Sequence, residues 1–338
     1  MIVLFEHLKK SIDSSKIAFI CKNSYYLSTF IPDAKILTQE EQKKVTAELF
    51  IYGGGTQFFS FQDNRPLYRK LMSVLKQTLK IIEHKKRYNY TASIGIGIGS
   101  FFDRATEFVT RLFFVNMDYI STRDVSSSNY INKWNISHAK QFTDICYLIK
   151  NKKAIQTKKT IEKVGIIVRD WNHTKNSATY YKSILKLFTQ LENKGYKPTL
   201  IVFSEKSDSY WMSKIHEFKN VLIWKPNNNT VVEFMDRLNK FDIFVTARFH
   251  GAIFSSLLSK PFIGINVEKR LDTVADEYTG LSKKWSHPFN VQQCIKLIID
   301  INDSYEKYNN VRYECFHHIE TANHMKEDFT KFLNEIFT

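Results

Sequence analysis

In VTARFHGAIFSSLLSKPFIGI, Val245 to Ile265, Arg248, His250 and Gly251 stand where an apolar strand gives way to a helix. Strand ends that feed helices are where α/β proteins bind ligands. The first turn of a helix offers unpaired N–H groups and the positive end of the dipole, which sets His250 beside a site for an anion. Arg248 adds a planar fork suited to carboxylate or phosphate. A capping histidine and an arginine paired to a local carboxylate would suit the same positions. The clustering of Arg, His and Gly at one strand end favours chemistry.

Other strand ends repeat the theme. Arg169 leaves the strand VGIIVRD ahead of Trp171 and His173, and beside Arg248 it could make a second anion clamp, although an Arg–Asp pair is often only a salt-bridged turn. Arg123 and Asp124 in ISTRDVSSS form another such pair with the same two readings. Gly53, Gly54 and Gly55 close one strand, and Gly95, Gly97 and Gly99 close another. Neither run continues as a dinucleotide fingerprint, and there is no P-loop lysine. Bare glycine loops allow close backbone approach, so Gly54, Gly55, Gly97 and Gly99 read as the floor of a cleft. No metal-ligand spacing and no G-x-S-x-G elbow occurs, and His317 and His318 read as exposed helix residues.

The elements that must hold these residues form two α/β series. KIAFIC, ELFIYGGG, ASIGIGIGS and DYISTRD read as strands of the first, with helices over Leu67–His84 and near Arg104–Phe114. Lys150 to Lys163 is lysine-rich and reads as a linker. KVGIIVRD, TLIVFSE, VLIWKP, FDIFVTA and FIGINV are strands of the second, alternating with helices that include Tyr180–Lys194 and Val231–Asn239. Such alternation predicts parallel sheets with right-handed crossovers. The domains expected are 1–150, 151–300 and a helical tail, 301–338.

Composition sets wider bounds. The 338 residues are 43% hydrophobic and 25% charged, which excludes a disordered or collagen-like chain. A net charge of +15 suggests an anionic partner, be it a phosphorylated substrate, nucleic acid or an acidic membrane surface, although scattered lysines produce the same balance. Cys21, Cys146, Cys294 and Cys315 lie far apart, as in a reduced cytosolic protein. No apolar run reaches transmembrane length, and MIVLFEHLKK lacks the basic lead of a signal peptide, so a cytoplasmic location is expected.

Taken in order, IYGGG at 51–55, IGIGIGS at 94–100, ISTRDVSS at 120–127, GIIVRDW at 165–171 and the block at 241–270 resemble the polysaccharide pyruvyl transferase family. The last block is the specific one, with an aspartate-led strand, Ala-Arg-aromatic-His-Gly, an apolar helix, Lys-Pro-Phe and a Gly-Ile strand. The resemblance spans most of 45–280 and fades between Lys22 and Thr29, where Asn23 has no Gly-Asp after it. It implies a GT-B-like fold, two Rossmann-like domains facing across a cleft with a C-terminal helix crossing back, the first on the acceptor side and the second on the donor side.

The activity implied is transfer of the enolpyruvyl unit of phosphoenolpyruvate onto two hydroxyls of a sugar in a bacterial surface polysaccharide precursor, giving a cyclic ketal and phosphate. Phosphoenolpyruvate is then a co-substrate, with no nicotinamide and no obligatory metal. His250 and Arg248 become the catalytic candidates; Arg169, Arg248, Phe249, His250 and Gly251 the donor contacts; Gly54, Gly55, Gly97, Gly99, Arg123 and Lys269 the cleft and acceptor candidates. A lipid-linked acceptor would bring the basic helix Leu67–Lys86 to the inner membrane surface, unless it is an ordinary surface helix. The alternative is a GT-B glycosyltransferase with a nucleotide-sugar donor. A nucleic-acid module fits the glycine loops and strand-end arginines poorly, so no nucleic-acid partner is expected.

Overall fold

The computed structural model describes residues 2–21, 24–32, 34–60, 67–149, 160–171, 177–267, 269–278, 280–305 and 312–337. The chain divides into two compact units, Met1–Leu148 with His318–Thr338, and Ile149–His317. His173, Asn23 and most of the expected linker lie outside the described residues.

The first unit opens with helix α1 (Ile2–Leu8), strand β1 (Ala18–Phe19), α2 (Ser24–Phe30), β2 (Lys35–Ile36) and α3 (Gln39–Lys44). Then follow β3 (Ala47–Gly53), β4 (Thr56–Phe58), α4 (Leu67–Arg87), β5 (Tyr88–Ile98), α5 (Arg104–Val115), β6 (Tyr119–Thr122), α6 (Val125–Lys133) and β7 (Lys140–Gln141). The main sheet runs β3-β5-β6-β7, all parallel, and β4 pairs with the end of β5. The apolar start of the chain is core: Leu4, Phe5 and Leu8 pack with Phe19, Ile94 and Tyr119.

The second unit contains β8 (Lys163–Val168), α7 (Ser177–Asn193), β9 (Lys197–Val202), α8 (Ser209–Lys214), β10 (Val221–Ile223), α9 (Val231–Leu238), β11 (Ile243–Thr246), α10 (Phe249–Leu257), β12 (Phe262–Ile265), α11 (Lys269–Glu277), β13 (Ser282–Trp285) and α12 (Val291–Asp303). Its six parallel strands lie in the order β10-β9-β8-β11-β12-β13. Numbered from β8, this is the doubly wound order 3-2-1-4-5-6. Apart from Thr246, the buried residues of β8 and β11 are apolar, as expected where helices cover both faces of a parallel sheet. Asp242 starts β11 by accepting the N–H groups of Glu162 and Lys163 at 2.9 and 2.8 Å, which sets its register on β8.

The tail expected as one segment from 301 is divided. The last helix, α13 (Arg312–Phe337), belongs to the second unit up to His317 and to the first from His318. Met325, Phe329 and Leu333 complete the core that α1 begins. Among the described residues no helix is long and apolar enough to cross a membrane, and the four cysteines are free thiols.

Candidate active site

In a doubly wound sheet the strand order reverses beside the first strand, and the crevice outside the carboxyl ends there receives ligands. In the second unit that place lies between β8 and β11. Arg169 follows β8 and Arg248 follows β11. The register pairs Thr246 with Ile167, so two residues further on Arg248 stands level with Arg169. The Nε of Arg248 donates to the Val168 carbonyl at 3.0 Å, across the gap between the two strand ends.

Each arginine is held from behind. The Arg169 backbone exchanges two hydrogen bonds with the Tyr180 hydroxyl, at 3.2 and 3.1 Å, and its carbonyl accepts from the Trp211 indole at 3.0 Å. Burial raises the Tyr180 phenol far above its ordinary range, so it remains a donor. The Arg169 guanidinium lies 4.9 Å from the Trp171 ring centre, a cation–π contact. Arg248 donates through Nη2 to both carboxylate oxygens of Asp208, which is fully buried. Asp208 also accepts the backbone N–H of Asp170 at 3.1 Å and of Ser204 at 3.3 Å, which ties the ends of β8, β9 and β11 together. Arg248 is therefore oriented by a carboxylate, as one of the two sequence readings allowed, and its side chain keeps 19% exposure.

α10 begins immediately beyond. Arg248 is its N-cap, and the Arg248 side chain makes no cap hydrogen bond. The Thr246 hydroxyl accepts from the Arg248 N–H and donates to the Arg248 carbonyl, both at 3.1 Å, closing the turn. A Cβ on Gly251 would stand 2.3 Å from that hydroxyl, so glycine lets the first helical turn seat on the strand end. His250 is half-buried, edge-on to Phe249 at 5.6 Å. Lys269 starts α11, after β12 and one strand further from Arg169.

Gly54, Gly55, Gly97, Gly99 and Arg123 belong to the first unit, at the carboxyl ends of β3, β5 and β6. Gly54 and Gly55, at φ +63° and +73°, make the left-handed turn into β4. Gly99 lies against the Tyr130 ring. Arg123 is 5% exposed and faces two carboxylates, Asp124 and Asp144, each at 3.2 Å, while it donates to Thr56 at 2.7 Å. One guanidinium between two carboxylates is an interior ion cluster, the salt-bridged alternative for this Arg–Asp pair. Gly97 makes room for it, since a Cβ there would fall 2.9 Å from the Arg123 Nε. His318 differs from expectation: it is half-buried, stacked on Tyr147 at 5.0 Å and bonded to Thr143 at 3.1 Å.

Sequence reasoning missed Asp208, Tyr180, Trp211 and Thr246. An acidic residue shortly after the second strand of the series was the available signal for Asp208. The two aromatics carry no local signal, because their partners are backbone groups of a distant strand end.

Two Rossmann-like units of parallel strands, with polar side chains gathered at the carboxyl ends, make this a GT-B-like α/β protein. A candidate UDP-N-acetylglucosamine 2-epimerase from Listeria monocytogenes shares 11% identity with it over 99% of this chain and 92% of that one, at a TM-score of 0.60. The UDP-GlcNAc 2-epimerase from Neisseria meningitidis, solved with UDP-GlcNAc, shares 13% over 98% and 96%, at 0.55. The Methanocaldococcus jannaschii UDP-GlcNAc 2-epimerase, with UDP-GlcNAc and UDP, shares 14% over 89% and 88%, at 0.56. At these identities the likeness is one of fold. The polysaccharide pyruvyl transferase profile matches residues 2–270, and the chain belongs to that family. No curated protein matches the sequence.

Proposed function

We propose that the protein transfers the enolpyruvyl group of phosphoenolpyruvate to two hydroxyls of one sugar, with the donor held at the carboxyl ends of β8 and β11. The observation that carries this reading is the pair Arg169 and Arg248 on adjacent central strand ends, beside the start of α10. Phosphoenolpyruvate has a carboxylate and a phosphate within one small molecule, and two guanidinium groups with a row of backbone N–H groups are the complement of both. Asp208 offsets part of the charge of Arg248, so Arg169 and the helix start supply most of the net attraction for the anion.

The reaction needs a proton delivered to the methylene carbon, which leaves an oxocarbenium-like centre at the carbon bearing the phosphate. One sugar hydroxyl adds there, phosphate departs, and a second hydroxyl of the same sugar closes the ketal. Of the protons in play, one ends in the new methyl group and the hydroxyl protons leave with phosphate or solvent. His250, in the first turn of α10, is assigned as the acid or as the group that steadies the leaving phosphate. No metal or redox cofactor is required by this scheme. The acceptor is proposed to be a sugar of a surface-polysaccharide precursor, and the reaction to take place in the cytoplasm.

The test is phosphate release from phosphoenolpyruvate across a panel of sugar acceptors. Acceptor-dependent release in the wild type, lost in Arg248→Ala and reduced in Arg169→Ala, supports the reading. His250→Ala with near-full turnover would remove the acid assignment while leaving donor binding intact. Calorimetry separates the rival: a protein that binds a UDP-sugar, as the Neisseria and Methanocaldococcus epimerases do, and not phosphoenolpyruvate is a nucleotide-sugar enzyme.

A further inference from the structure

The outer face of the first unit carries large apolar side chains in water. On α4, Met72, Leu75, Leu79 and Ile82 recur at helical spacing and are 63%, 54%, 57% and 50% exposed. The opposite side of the helix is half-buried, and His84 there meets Phe113 of α5 at 5.4 Å. α5 repeats the pattern with the exposed series Arg104, Phe108, Arg111 and Val115. Phe108 and Val115 are 51% and 50% exposed, and Phe102 just before the helix is 67% exposed. β3, β5 and β6 are successive neighbours in the sheet, so right-handed crossovers put α4 and α5 on one face, where they pack together.

Cations accompany both stripes. Lys76, Lys80, Lys85 and Lys86 are exposed on α4, as are Arg104 and Arg111 on α5. The acids within the two helices have cationic partners: Glu83 lies 3.8 Å from Arg87, and Glu107 is 2.6 Å from Lys133. A soluble surface helix turns its apolar stripe inward; this pair leaves one outside and rims it with positive charge.

We propose that the α4–α5 face docks on an anionic phospholipid bilayer. Its apolar side chains enter the headgroup–acyl boundary, and its lysines and arginines meet the lipid phosphates. A nucleic acid would meet the lysines but leave the four apolar side chains of α4 in water. A second copy of the chain would bring like charges together. The inference rests on this surface alone, so its failure would leave phosphate release from phosphoenolpyruvate unaffected.

The test is flotation of the full chain with vesicles of phosphatidylcholine alone and of phosphatidylcholine with an equal amount of phosphatidylglycerol. Binding is expected only to the anionic vesicles, weakened by salt, and lost in both Leu75→Asp/Leu79→Asp and Lys76→Glu/Lys80→Glu. Leu79→Trp supplies a second readout: its fluorescence should shift to the blue on anionic vesicles. Absence of wild-type flotation, equal binding to neutral vesicles, or binding that survives both double variants would overturn the proposal. So would a lipid-free dimer that Leu75→Asp/Leu79→Asp converts to monomer, since the stripe would then be an interface between copies. Circular dichroism confirms that each variant is folded, and the tryptophan shift decides the matter if a double variant is not.

Discussion

Arg248 looks from the sequence like a cation waiting for an anion, yet its Nη2 already holds a buried carboxylate. The pairing with Asp208 changes what each substitution does. Asp208→Ala leaves a guanidinium partly desolvated and unpaired, and should cost roughly 3–5 kcal/mol, toward the lower end because Arg248 retains 19% exposure. Replacing both partners, as in Asp208→Ala/Arg248→Met, should restore much of that stability while abolishing turnover. Urea unfolding of the two variants checks the non-additivity, and the phosphate assay checks the loss. Additive stabilities would mean that the two side chains act independently. The signal for Arg248 was local, an arginine at the end of an apolar strand; Asp208 lies on another strand's loop, and no spacing rule connects them.

The start of α10 is decided by fit rather than by propensity. Ala is a better helix former than Gly by about 1 kcal/mol, so Gly251→Ala ought to stabilise an isolated helix. In the folded protein the added methyl group would meet the Thr246 hydroxyl at 2.3 Å, and the turn must move. Gly251→Ala is expected to destabilise by roughly 1–3 kcal/mol net, with thermal unfolding as the measure. Thr246→Ala beside it should recover part of the loss, although it also removes the hydroxyl that closes the turn at Arg248. The glycine was visible in the sequence; that a threonine five residues earlier requires it was not, because the contact exists only once strand and helix have folded back on each other.

For the molecule as a whole, two stability predictions concern the first unit. His84 sits among Phe50, Tyr52, Tyr88 and Phe113, and burial lowers its pKa from 6.5 to about 4. Above pH 6.5 the imidazole is neutral whether folded or unfolded; between 6.5 and about 4 only the unfolded chain takes the proton. Melting temperature should therefore fall through that window, and His84→Phe should flatten the fall. Burial lowers His7 in the same direction, so the variant flattens it only in part. Phe329, fully buried, packs on Tyr119 at 5.1 Å in the core that α1 shares with the end of α13. Phe329→Ala is expected to cost roughly 3–5 kcal/mol, read as a lower denaturation midpoint, and no loss would mean that the C-terminal helix contributes little to this core.

By itself the sequence determined the two series of parallel strands, because apolar runs alternating with amphipathic helices have few other ways to bury both faces of a sheet. It also identified the family, through the Ala-Arg-Phe-His-Gly block and the glycine-ended strands, and it set Arg169 and Arg248 at strand ends. Tertiary structure alone decided the strand order that makes those two ends neighbours, the carboxylate that orients Arg248, the ion cluster that encloses Arg123 and the return of the C-terminal helix to the first core. The division has a physical cause. Periodicity and helix-start chemistry are local and legible along the chain, whereas ion pairing and strand order depend on which distant segments share a sheet edge, and burial settles that only when the whole chain has packed.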